Sequence, residues 1–130
     1  MSAVHPRQGF ADLALEQLRA WPALTVCRAG DGTGRGLAFQ TRQIVHLHTP
    51  DAAEVYLTWP VVRRMGSALT DNSGVTVAPG RDWVGVRLDS HGDVTLLISL
   101  VSVAITANTP APGVPHRKTA PCPHAETVAR

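Results

Sequence analysis

Three short stretches of this chain alternate between aliphatic and polar side chains. They are QIVHLH over Gln43–His48, EVYLT over Glu54–Thr58 and DWVGVRL over Asp82–Leu88. Successive side chains of a strand point to opposite faces, so the pattern predicts strands buried on one face only. Parity then sorts the residues. Val45, Leu47, Val55, Leu57, Val84, Val86 and Leu88 fall on one side. Ile44, His46, His48, Glu54, Tyr56, Thr58, Trp83, Gly85 and Arg87 fall on the other.

The rest of the patterning sets the company these strands keep. Phe10, Leu13, Ala14, Leu18 and Trp21 recur at helical spacing and predict a first helix over 10–21, stopped by Pro22. Two β-prone runs follow, Ala23–Cys27 and Leu37–Gln40, separated by the glycine-rich AGDGTGRG of Ala29–Gly36. Trp59-Pro60 opens a second helix, with Thr58 as its cap and Val61, Met65, Ala68 and Leu69 as its apolar stripe. A further strand over Gly74–Val77 turns through Ala78–Arg81 into the Asp82–Leu88 strand. Ser90 and Asp93 resemble a capping box ahead of an apolar helix marked by Val94, Leu97, Ile98, Val101 and Ile105.

The order is therefore α-ββββ-α-ββ-α. Helices are too few to cross over between every pair of strands, so the expected class is α+β. It is a single curved antiparallel sheet of about six strands with three helices on one face; a small closed barrel with flanking helices is the alternative. Residues 1–9 read as a lead and 10–107 as the domain. Residues 108–130, with five prolines and no periodicity, read as a disordered tail.

Composition narrows the function classes. The chain is 44% hydrophobic, enough for a packed core, and no run is long enough for a membrane span. The N-terminus lacks the apolar core of a signal peptide, so the expected compartment is the cytoplasm. A net charge of +2 is slight for gripping nucleic acid, and Arg117, Lys118 and Arg130 against Glu126 place all of it in the tail. No nucleic-acid or membrane partner is expected. The glycines at 30, 32, 34 and 36 carry neither GxGxxG before a helix nor GK[ST], and read as a hairpin loop. No CxxC pair occurs. Cys27 reads as a small core residue, and nothing in the proline-rich tail would hold Cys122 in place for a disulfide.

Chemistry concentrates on the polar sheet face: His46, His48, Glu54, Tyr56, Trp83 and Arg87. Two histidines at i and i+2 of one strand stand about 7 Å apart at Cα. That spacing chelates a metal only with a third ligand, and Glu54 alone is near in sequence. Histidines with an arginine suit a base and an anion clamp instead. The aromatics suit base stacking, but no RNP pattern is present. A hydrogen-bonded amphipathic surface without chemistry stands beside all three. His91, at the start of the last helix, reads as a solvated residue, and Asp82 as a turn or strand-edge residue.

The run IVHLHTPDAAEVYL of Ile44–Leu57, the proline-opened helix, GRDWVGVRLDSHGDV and the final apolar helix together resemble the luciferase-domain family. That is the small domain shared by the fungal luciferases and many uncharacterised bacterial proteins, and the resemblance spans about Phe10 to Ala107. It implies a domain whose fungal members oxidise a hydroxylated pyrone-type luciferin with O₂ and no cofactor. His46 and His48 stand on the family's His-x-His strand and Asp51 in its acidic turn. Val55 stands where the fungal pattern has a further histidine, and Arg64-Met-Gly-Ser67 replaces its glycine–tryptophan–glycine segment. Light emission is not expected.

Two readings stay open. One is a protein that binds or oxidises a small phenolic or enolic molecule without a bound cofactor or metal. There His46 is the base, His48 orients the substrate and Arg87 stabilises the anion, while Glu54, Tyr56, Trp83 and Asp51 bind it. The other is a non-catalytic interaction or scaffold module, for which the apolar helix over 94–105 is the candidate homodimer surface.

Overall fold

The strands that the alternation predicts all form, each antiparallel to its neighbours. The computed structural model describes residues 9–28 and 34–109, with the backbone of 124 and 125. The strands are β1 (Leu24–Arg28), β2 (Arg35–Phe39), β3 (Arg42–Thr49), β4 (Ala52–Tyr56), β5 (Val75–Thr76) and β6 (Trp83–Arg87), with a two-residue β7 (His124–Ala125). Their spatial order is β5-β6-β4-β3-β2-β1-β7. This is an open antiparallel sheet with helices, hence α+β, and the barrel alternative is not adopted.

The helices are α1 (Phe10–Leu18), α2 (Trp59–Met65), α3 (Ser67–Thr70) and α4 (His91–Ala107). α4 packs across β3, β4 and β6, and α1 packs on α4. The expected aliphatic set meets these helices: Val45, Leu47, Val55, Leu57, Val84, Val86 and Leu88 are all buried, beside Val94, Leu97 and Val101 of α4. Each such side chain contributes about 1.5–3 kcal/mol of burial. The apolar run of α4 still leaves a solvent side, because Thr95, Ser99, Ser102 and Thr106 line it as an exposed hydroxyl stripe.

Several details depart from the patterning. α1 ends at Leu18, three residues before Trp21, whose N–H closes a turn onto the Leu18 carbonyl. The helix expected after Trp59 is broken in two at Gly66, which takes a φ of 50°. Thr58 does not cap it: its φ is 75° and its side chain makes no capping bond. The cap comes from 23 positions away, where Asp82 Oδ1 accepts the Trp59 N–H at 2.6 Å. Asp82 is thus more than a strand-edge residue. At α4 the box is shifted by one: Ser90 Oγ accepts from the Asp93 N–H, while Asp93 Oδ2 accepts from the Asp89 N–H.

Ile44 is the clearest correction. Parity puts it on the polar face, yet it is fully buried within the aliphatic core. Between β2 and β3 the register moves from Leu37↔Val45 to Ala38↔Gln43, skipping Ile44. Such a bulge adds one residue to a strand and reverses the alternation beyond it.

Cys27 is fully buried, as expected of a core residue, but it is disulfide-bonded. The chain's other cysteine, Cys122, lies outside the described residues, as do most of the glycine-rich loop and most of the expected tail. Within that tail the backbone of His124–Ala125 pairs with β1, Cys27 opposite Ala125 and Arg28 opposite His124. No helix is long and apolar enough to cross a membrane among the described residues.

Candidate functional site

The register lines up one row across the sheet: Cys27 opposite Gly36, Gly36 opposite His46, His46 opposite Glu54, and Glu54 opposite Gly85. Glycine on both sides leaves His46 and Glu54 without a bulky flanking side chain in this row. The adjacent row pairs Tyr56 with Trp83. Thus the structure brings together His46, His48, Glu54, Tyr56 and Trp83, five of the residues that parity selects.

Their side chains converge. Oε1 of Glu54 lies 3.4 Å from Nδ1 of His46 and 3.3 Å from Nε2 of His48. His46 is the most enclosed of the three, with 15% of its side chain exposed against 28% for His48 and 48% for Glu54. The Trp83 ring stacks on His46, with centroids 4.3 Å apart and planes inclined by 23°. His48 meets His46 edge-on at 5.2 Å. Tyr56 meets Trp83 edge-on at 5.3 Å, and the Arg42 guanidinium lies 4.9 Å from the Tyr56 ring centre. The result is an aromatic wall beside a histidine–carboxylate cluster open on the Glu54 side.

Gln43 completes the cluster, and the sequence reading missed it. Strict alternation places Gln43 with Val45 and Leu47 in the core. The bulge at Ile44 returns it to the polar face, where it is nearly buried, at 9% exposure. Its Nε2 donates to the Arg28 carbonyl at 3.0 Å, so its Oε1 faces His46 Nε2 at 2.5 Å. An amide oxygen only accepts, so His46 Nε2 carries the hydrogen, and in the neutral form of the ring Nδ1 is the lone-pair nitrogen on the Glu54 side. No sequence motif announces Gln43; only the bulge does.

The remaining expected residues stand further off. Arg87 is two positions beyond Gly85, opposite Ala52, and its Nε lies 3.8 Å from Asp89 with the side chain 67% exposed. Asp51 lies in the β3–β4 turn, where its Oδ1 accepts from Thr49 Oγ1 and its carbonyl accepts from the Leu88 N–H. His91 is exposed at the start of α4 and meets the Phe10 ring edge-on at 5.2 Å.

Comparison with known proteins places the cluster within one recognised segment. Residues 41–104 match the model of the Luciferase domain, a span that runs from β3 through most of α4 and includes the whole histidine–carboxylate cluster. No curated protein and no solved structure matches the chain.

Proposed function

Taking residues 41–104 as a Luciferase domain, we propose that the protein binds a small planar molecule bearing an acidic enolic or phenolic hydroxyl. The observation that carries this reading is the stacked pair of His46 and Trp83 beside the shared carboxylate of Glu54. A flat ring lies against the aromatic wall of Trp83 and Tyr56, where stacking contributes about 0.5–1.5 kcal/mol beyond burial. Its hydroxyl points at the histidines, with Nδ1 of His46 as acceptor.

The cluster is built to hold positive charge. Glu54 stands beside both imidazoles, and Trp83 offers its π-face to His46. A proton leaving the hydroxyl is therefore stabilised where it lands, and the oxyanion left behind stays paired with it. Phenolate and enolate anions are electron-rich, the class of molecule that reacts with O₂ directly, and oxidation of such an anion is the reaction this reading assigns. His48 orients the bound anion, and Arg87 supplies a second cation from the edge of the same face.

The experiment is a calorimetric screen of planar phenols and hydroxypyrones against the full chain and against His46→Gln/His48→Gln and Trp83→Leu. Binding that weakens at least about tenfold in both variants supports the reading, since loss of one well-made contact of this kind is worth about 1.4 kcal/mol. Ligands that bind both variants as tightly as the parent overturn it.

A further inference from the structure

We propose that His46, His48 and Glu54 form a binding site for a single divalent transition-metal ion. One ligand atom from each lies within 4.8 Å of the others, and all three sit on one sheet face with direct cross-strand pairing of His46 and Glu54. This supplies the third ligand that two histidines on one strand lack.

The two distances from Glu54 fit an ion site. A charge-assisted N–H···O⁻ bond draws its atoms to about 2.7–2.9 Å. Here Oε1 of Glu54 stands at 3.4 Å from one imidazole nitrogen and 3.3 Å from the other. Two donors that each lie about 2.1 Å from a tetrahedral ion are about 3.4 Å apart. The carboxylate oxygen therefore keeps the spacing of a coordination edge to both nitrogens at once.

The surroundings point the same way. Ligating histidines hand their second ring N–H to an acceptor that fixes tautomer and ring plane. Gln43 does this for His46: its amide is pinned by the Arg28 carbonyl and presents Oε1 to Nε2. Nδ1 of the neutral ring then faces the carboxylate as a second acceptor, an arrangement that a cation between the two stabilises. Trp83, stacked on the ring, restricts its rotation.

The donor set defines the ion. Two imidazoles and one carboxylate suit zinc, iron, cobalt or nickel, whereas magnesium and calcium take all-oxygen shells. Among the described residues the set has three protein ligands, and a three-ligand set leaves at least one position open, the mark of reactive and not purely structural sites. Glu54, about half exposed, keeps that position reachable. The inference departs from the cofactor-free reading and stands without the proposed organic ligand. Where both hold, the hydroxyl oxygen takes the open position as its anion, and the ion occupies Nδ1 of His46 in place of the proton.

The test uses the ion alone. The full chain, stripped with chelator, is titrated with Zn²⁺ by calorimetry and with Co²⁺ by visible absorption. His46→Gln, His48→Gln and Glu54→Gln are titrated in parallel, together with His91→Ala/His116→Ala/His124→Ala to remove three of the four histidines outside the cluster. The expected result is a one-to-one complex, weakened at least about 100-fold by each of the first three and retained in the triple variant. Glu54→Gln is nearly isosteric at a half-exposed position, so its loss of binding does not reflect unfolding. Absence of a one-to-one complex overturns the proposal. So does a complex that survives Glu54→Gln and His46→Gln, or one that disappears in the triple variant.

Discussion

Oε1 of Gln43 lies 2.5 Å from Nε2 of His46, and the same amide reaches the Arg28 carbonyl with its nitrogen. A single buried side chain thereby links β1 to the central histidine and decides which of its nitrogens is available. Gln43→Leu removes both bonds, and the expected cost is about 1–2 kcal/mol in chemical denaturation. Nitrogen-detected NMR of the histidine side chains gives the sharper check. The Nε2–H form dominates His46 in the parent and the two forms mix in Gln43→Leu; a parent ring protonated on Nδ1 alone contradicts the assignment.

Asp82 caps α2 from the start of β6, ahead of Trp83. Asp82→Ala is expected to cost about 1 kcal/mol, lowering Tm by about 4–8 °C, with Asp82→Asn recovering most of the loss. Ser90→Ala, which removes the acceptor for the Asp93 N–H, is expected to cost a similar amount. Thermal melts of the three variants check both caps; an unchanged Tm in Asp82→Ala rules out the first.

Gly34 and Gly80 separate conformational strain from steric conflict. Both have positive φ, 75° and 78°. A Cβ on Gly34 would collide with the Leu47 carbonyl oxygen, whereas one on Gly80 meets nothing within 4 Å. Gly80→Ala is expected to cost about 1 kcal/mol, and Gly34→Ala clearly more, because β3 backbone must move. Equal melting curves for the two would show that β3 yields freely at Leu47.

Cys27 is disulfide-bonded in the sheet row that contains His46. Alkylation in denaturant without reductant should leave Cys27 unmodified, and prior reduction should expose it. Cys27→Ser is expected to cost about 2–4 kcal/mol. Peptide mass spectrometry reads the first result and denaturant titration the second; a freely alkylated Cys27 refutes the bond.

Much of this architecture is written in short-range patterns. Alternation in QIVHLH, EVYLT and DWVGVRL found the central strands and most of the polar face, because a half-buried antiparallel strand must repeat every two residues. Three kinds of information were out of reach. Asp82 capping Trp59 depends on a contact 23 positions apart. The break at Gly66 depends on one backbone angle inside an otherwise helical run. Gln43 was hidden because periodicity assumes that every residue counts once, and Ile44 does not. The site was legible as a set of histidines on a face; its second layer was not.

The skipped position at Ile44 divides β3 into two halves of opposite phase. Any hydrophobic exchange at 44 leaves that division intact, but shortening the strand by one residue erases it. Residues 42 and 43 would then rotate by half a turn relative to His46, turning the amide of Gln43 into the core and detaching it from the ring it now steadies. The working face of this sheet is therefore specified by chain length as much as by residue identity. Indels in β3 should be far less tolerated than substitutions, even at positions that touch nothing chemical.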